Sequence, residues 1–448
     1  MNYILQLLLF VLLMRLFLAK RSEKMGILFF GMMTCSIVKF SFVPTLSSLN
    51  LFCLVFVISE IPFLKDYYRK LDSSFFKIMI VVNAVGFLCL LYGSPHYKDS
   101  IGHMLKLFVR EMLCYDFIVY YSFVSMKDSK SWNYLLKMVY YGVLLLSVAG
   151  VINLITKHGF FVDMAMGGGQ ELNSSTELLG AKYAGEKRFR VQSLYFNPFD
   201  YGFMCLSVLI LYAYAFFQKI VDKRRFVIIF SCCLFGIVFC GCRTILLSSV
   251  FGFILFVLLT FSLKRKVKIF FVFLLLGAMA YLFVPPVVEL VDSALSVFEM
   301  NSQVEGSSLE MRMKQYARVF YYIKNNLLLG RGKDFFLIDL GWKGGLESLV
   351  DRELMGLEGI MMSLLLERGV VGVIVWSLFY GLIAGFCLKH RKRAPIASSA
   401  CLTLIAVYVI FVNMTGELNS FFPTLLLSGC FINSLVEKRN NIVNGIKK

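Results

Sequence analysis

Apolar runs recur along almost the whole chain, and their length is what most restricts its fold. A run needs about 20 residues to cross a hydrocarbon core about 30 Å thick, and by hydropathy about thirteen runs qualify. They lie near residues 2–19, 25–42, 46–64, 75–93, 101–125, 134–155, 197–217, 226–241, 244–262, 269–286, 369–388, 396–414 and 420–436. Of the 448 residues, 58% are apolar or aromatic and 17% are charged, against about 45–50% and about 25% in soluble domains. A water-soluble globule could not cover that much apolar surface. The 45 Phe and 22 Tyr are opposite to a disordered composition. In lipid every backbone polar group must be satisfied internally. The expected fold class is therefore all-α, a polytopic transmembrane helix bundle of about 12–13 spans with two long extracytoplasmic loops.

Charge gives the expected orientation. Every second connection is basic: Lys20/Arg21/Lys24, Lys65/Arg69/Lys70, Lys127/Lys130, Lys219/Lys223/Arg224/Arg225, Lys264/Arg265/Lys266/Lys268, Lys389/Arg391/Lys392/Arg393 and the tail Lys438/Arg439/Lys447/Lys448. The connections between them are poor in Lys and Arg. By the positive-inside rule the N-terminus lies outside and the C-terminus inside. The run at 25–42 contains Lys39; if it does not cross, the amino end flips and the later loops keep their sides. The first run is followed by Lys20 and Arg21 instead of a small-residue cleavage site, and reads as an anchor. Much of the net charge of +18 is this topological excess, so nucleic acid is not expected as a partner.

Five segments follow. Residues 1–155 hold the N-terminal transmembrane helices, and 156–196 form the first long outer loop. Residues 197–286 hold the central transmembrane helices. Residues 287–368 form the second long outer loop, with amphipathic and half-membrane helices, and 369–448 hold the C-terminal transmembrane helices and a cytoplasmic tail. The twelve Cys lie in or beside apolar runs and read as small buried hydrophobes. The four His are dispersed, so no transition-metal site is expected. No internal repeat is visible, which disfavours transporters built from duplicated halves.

Arginines on the expected outer side are not explained by the positive-inside rule. In "GEKRFRVQSLYFNPFDYGF", Lys187, Arg188 and Arg190 precede a helix start at Asn197-Pro198, where Pro is harmless and an anion is favoured. Headgroup anchoring is the plainer role. In "FCGCRTILLSS", Arg243 sits in a turn of a few residues between two spans. It either faces a cavity or snorkels to the interface. In "SSLEMRMKQYARVFYYIKNNLLLGRGKDFF", Ser308 can N-cap a helix. Arg312, Gln315, Tyr316, Val319 and Tyr322 share one side of that helix and Arg318 lies on another, with a Gly330-Arg331-Gly332 turn beyond. Taken alone, this stretch reads as an amphipathic helix on the membrane surface. In "DRELMGLEGIMMSLLLERGVVGVIVW", Glu358 opens a short helix that breaks at Glu367-Arg368-Gly369 and is followed by a true span. A half-buried acid there is a candidate base or a partner for the helix dipole. The run at 101–125 carries His103, Lys106, Arg110, Glu111 and Asp116, for which structural pairing inside the bundle is the expected role.

In their order and spacing these stretches resemble the O-antigen polymerase/ligase family, the Wzy/WaaL-type membrane glycosyltransferases, over roughly residues 186–390. "R-x-x-S-x-x-x-N-P" from Arg190 to Pro198 is similar to the family segment that enters the span after the first long outer loop. "CGCRTILL" is similar to its Ser-Arg-Gly turn, with Cys242 and Thr244 departing. Arg312 to Gly332 is similar to its helix and glycine turn, without the Pro. "LEGIMMSLLLERGVVG" is similar to its outer half-helix. The resemblance implies that Arg243 and Arg312 hold the diphosphate of a lipid-linked sugar, with Arg190, Arg188, Arg318 and Arg331 as further diphosphate or sugar contacts. Ligases of the family place a His where this chain has Leu357-Glu358, and no His lies between His158 and His390. That departure implies the polymerase branch, with Glu358 as base and Glu353 and Glu347 as substitutes.

The implied activity joins oligosaccharide repeat units carried on undecaprenyl diphosphate, at the outer face of the bacterial plasma membrane, making O-antigen, capsule or exopolysaccharide. No nucleotide sugar, metal or soluble cofactor is implied. A chain-length regulator and a flippase are the implied protein partners, and membrane lipid surrounds the chain. The alternatives are a ligase to lipid A core, a flippase or transporter for the lipid-linked unit, and a structural scaffold in the same assembly.

Overall fold

The computed structural model describes residues 2–38, 47–63, 73–93, 107–126, 128–162, 190–283, 309–332, 357–416 and 420–445, with single positions between them. Ser308, Arg188, Arg352, Glu353, Glu347, His103 and Lys106 lie outside the described residues. Among the described residues, every regular element is helical. They are α1 (Asn2–Leu18), α2 (Arg21–Thr34), α3 (Ser48–Glu60), α4 (Ser73–Gly93), a π-helical segment (Val109–Phe117) that continues as α5 (Ile118–Ser125), α6 (Ser129–Thr156), α7 (Pro198–Phe217), α8 (Lys223–Phe239), α9 (Arg243–Thr260), α10 (Leu263–Phe283), α11 (Leu309–Ile323), α12 (Ile360–His390), α13 (Pro395–Thr415) and α14 (Phe421–Gly445). Each of the thirteen apolar runs thus carries a helix. Among the described residues, six helices are long and apolar enough to cross a membrane, and four more are shorter apolar helices. The chain is an all-α, multi-pass membrane protein.

Helix boundaries follow local chemistry. Asp128 caps α6, accepting from Ser131 N at 2.8 Å. Asn197 caps α7, accepting from Phe199 N at 2.8 Å, with Pro198 at the first helical position. These side-chain oxygens satisfy amide groups that a helix start leaves unpaired. α7 and α13 form the centre, with 78% and 67% of their most apolar stretches buried, whereas none of that of α10 is buried. The strongest helix pairings are α2 with α6, α9 with α13, α12 with α4, and α14 with α5.

Two features differ from the sequence expectation. α2 has 14 residues, about 21 Å at 1.5 Å per residue, so it is shorter than the apolar run at 25–42. The first basic connection is also not a set of free surface charges. Lys24 is buried, with its Nζ 2.9 Å from Glu60 Oε1, and Arg21 Nε lies 3.4 Å from Glu60 Oε2. A buried charge needs such a partner, because burial without one is very costly.

α9 and α13 run antiparallel. At one end Arg391 Nη2 donates to Leu259 O at 3.1 Å. Midway, a Cβ on Gly252 would come within 2.6 Å of Val407. Counting nine residues further along each helix, about 13 Å, brings Arg243 level with the far end of α13. That end, opposite Lys223–Arg225 and Lys389–Arg393, is where the candidate site lies.

Candidate active site

α13 terminates at Gly416, whose φ of +90° is a conformation that glycine tolerates and most residues do not. The last carbonyls of a helix have no partner within it. One of them, Met414 O, accepts from Arg312 Nη2 at 3.3 Å. The same Nη2 donates to Glu358 Oε2, and both side chains are about a quarter exposed (25% and 27%). A cation at the negative end of a helix dipole is favoured. Arg312 is therefore held by one carboxylate and one helix terminus, with part of its surface open to a ligand.

Glu358 reaches this point because Gly359 lets the chain turn. Its φ is +95°, and a Cβ there would lie 3.1 Å from Asn413 O. Leu357 O in turn lies 3.7 Å from where a Cβ of Gly416 would stand. The Leu357–Gly359 segment thus packs against the end of α13, and α12 starts at the next residue.

α11 presents Arg312 from its first turns. Gln315 and Val319 of the same face are fully buried. Val319 and Ile323 pack with Phe335, Leu340, Leu354 and Leu366 into a small core separate from the main one. This second core mounts α11 on the first part of α12. Arg318 is half-buried, about 9 Å along the helix from Arg312 and about 120° round it, so the two guanidinium groups do not converge from adjacent turns.

The turn after α11 works through its backbone. α12 is broken at Gly369 (φ +63°, ψ −163°), which frees two carbonyls before the break and two amides after it. Arg331 N donates to Leu366 O at 2.7 Å and Gly332 N to Glu367 O at 2.9 Å; Val370 N donates to Leu327 O at 2.9 Å and Val371 N to Leu328 O at 3.2 Å. A Cβ on Gly330 would lie 2.5 Å from Gly369 N, and one on Gly369 would lie 2.3 Å from Leu328 O. Only glycine permits that approach. The Arg331 guanidinium lies 5.3 Å from the Phe335 ring centroid, a cation–π contact.

Arg243 is the first residue of α9, after a turn in which Gly241 has φ +65° and Cys242 Sγ donates to Cys240 O at 3.3 Å. The Arg190 stem lies against the same turn, its Cγ 3.1 Å from where a Cβ of Gly241 would stand. Val191 N donates to Phe239 O at 3.0 Å, which ties the segment down. Arg190 and Arg243 therefore flank one turn, and antiparallel packing sets that turn level with the Arg312 end of α13.

Two residues of this end were not paired by sequence reasoning. Arg368 Nη2 lies 2.6 Å from Glu111 Oε2, with both residues buried. The signal was present in principle: opposite charges inside apolar helices must find one another.

Residues 228–377, about a third of the chain, match the family model described as O-antigen ligase. The matched stretch contains Arg243, Arg312, Arg331, Glu358 and Arg368; Arg190 lies before it. No curated protein matches the chain.

Proposed function

Taking as premise the match of residues 228–377 to the family model described as O-antigen ligase, we propose that this chain polymerises oligosaccharide repeat units carried on a polyprenyl diphosphate, on the outer face of the plasma membrane. The observation that carries the reading is the Arg312–Glu358 pair at the end of α13. It sets a planar diphosphate-binding group and a basic group side by side.

In this reading the donor is the growing chain on its lipid diphosphate. The acceptor is a sugar hydroxyl of the next lipid-linked unit. The acceptor oxygen attacks the anomeric carbon of the donor's reducing-end sugar, and the bond from that carbon to the diphosphate oxygen breaks. The electron pair leaves with the diphosphate, and the hydroxyl proton passes to Glu358. Guanidinium groups match phosphate oxygens two by two. Arg312, with Arg243 and Arg190, stabilises the charge that builds on the leaving group.

In this reading the pair also gives an order of events. Arg312 Nη2 donates to Glu358 Oε2, so that oxygen is occupied while the pair is intact. When the donor diphosphate arrives it competes for the same Nη2, and the carboxylate is released as the leaving group becomes bound. Base and electrophile are then readied together.

Replacing Arg243, Arg312 and Glu358 singly, confirming membrane levels, and resolving the polysaccharide by size tests the reading. Collapse to single repeat units supports it, and an unchanged distribution in all three overturns it. The ligase reading is favoured by the description of the matched family model. Transfer of finished polymer to a lipid A core acceptor in vitro, without chain extension, would establish that reading instead.

A further inference from the structure

A carboxylate and a guanidinium inside an apolar bundle are costly unless each has a partner. Glu111 and Arg368 meet across the interface of the π-helical segment, α4 and α12, and the path between them is built. Arg368 precedes the break at Gly369, and its Cβ lies 2.2 Å from where a Cβ of Gly372 would stand, so only a glycine leaves room for its stem. Gly86 of α4 opens the next stretch: a Cβ there would lie 2.8 Å from Val375 and 4.0 Å from Arg368 Nη1. Beyond it, Glu111 Oε2 accepts from Arg368 at 2.6 Å, and Glu111 Oε1 lies 3.8 Å from Arg110 Nε. Asn83 of α4 donates to the Glu111 carbonyl. The wider π-helical turn alters the azimuth of the residues in it, and such turns gather at functional positions.

A buried ion pair adds little net stability over apolar residues of the same volume, and its best-attested use is to fix one arrangement among several. Here the arrangement is the half-helix 360–368, about 13 Å long. One end is set by Glu358 on Arg312 and by Gly359 on α13. The other end is set by Arg368 on Glu111 and by the 327–332 turn.

We infer that Glu111 is a positioning residue that, through Arg368, holds the half-helix 360–368 so that Glu358 stands at Arg312. The consequence for activity rests on the polymerase reading above; the consequence for geometry does not.

The test places a cysteine at Leu357, beside Glu358, and measures its labelling from outside by a membrane-impermeant maleimide. The twelve native cysteines are buried or half-buried. A cysteine at exposed Phe160 is the control. On adding Glu111→Gln, labelling at 357 is expected to change roughly fivefold, as local opening exposes the segment, with labelling at 160 constant. In the same background without the cysteines, polymer is expected to fall on the order of tenfold or more, as misplacement near reacting groups does. Unchanged labelling at 357 overturns the proposal, even if polymer is lost. Altered labelling, combined with polymer that Arg312→Ala and Glu358→Ala leave intact, supports the positioning role and overturns the polymerase reading instead. Should Glu111→Gln fail to accumulate, Arg368→Lys keeps the charge and loses the fork. It is expected to give a smaller shift at 357, and no shift there overturns the proposal.

Discussion

Arg312 and Glu358 lie 46 residues apart in sequence, on different elements, and share one charge-assisted hydrogen bond at the terminus of α13. Neither reaches that position through its own helix alone. Arg312 is carried by the small core under α11, and Glu358 by the turn at Gly359.

The two residues should respond differently to conservative change. Glu358→Gln keeps the shape and removes the proposed base, so turnover is expected to fall about 10²–10⁴-fold. Arg312→Lys keeps the charge and removes the fork, so turnover is expected to fall roughly tenfold or more. Size-resolved polysaccharide at matched membrane levels measures both. Full activity in Arg312→Lys would rule out bidentate diphosphate binding there.

Gly359→Ala combines a φ of +95° with an approach to Asn413 O. Backbone strain of this kind costs about 1–3 kcal/mol, and the strain falls where Glu358 is aimed. Activity should drop well before global stability does, as shown by comparing turnover with thermal unfolding in detergent.

Arg331 separates side chain from backbone. Its N–H holds Leu366 O, so Arg331→Ala keeps the clasp and should leave protease resistance of the 327–332 turn unchanged. Arg331→Pro removes that donor and should make the turn open to limited proteolysis. Equal resistance in both variants would show that the clasp is dispensable.

Gly369→Ala drives a Cβ against Leu328 O, which is backbone and cannot swing away. A loss of about 2 kcal/mol or more is expected, read as a lower unfolding temperature together with cleavage in the 327–332 turn.

Asp128 caps α6, and the side-chain and backbone hydrogen bonds from Ser131 hold its carboxyl below the usual range. A folded value below the unfolded one gives stability that is present above about pH 4 and lost as pH falls through the folded value. Asp128→Ala should cost about 1 kcal/mol at neutral pH, and Asp128→Asn should remove the acid dependence while keeping most of the cap. Unfolding measured from pH 3 to 7 distinguishes them.

What could be read from sequence follows the range of the physics involved. Span length is local, and all thirteen apolar runs carry helices. The start at Asn197-Pro198 and the break at Glu367-Arg368-Gly369 are written in neighbouring residue types, and both are present. Arg312 was legible as a misplaced charge. Its partner Met414 O was not, because a free carbonyl exists only where a helix ends. The Gly330-Arg331-Gly332 turn reads in sequence as one that exposes its backbone, and its backbone makes the contacts with α12. Glu111 and Arg368 are 257 residues apart, and their pairing depends on a π-helical turn and two glycines. Arg21 and Lys24 counted as topology signals, although both face Glu60.

The four hydrogen bonds between the 327–332 turn and the interrupted α12 make the segment after α11 part of a long apolar helix's own bonding pattern. Neither half is chemically complete without the other. Exchanging residues 327–332 without residues 366–371 is therefore expected to break all four bonds at once.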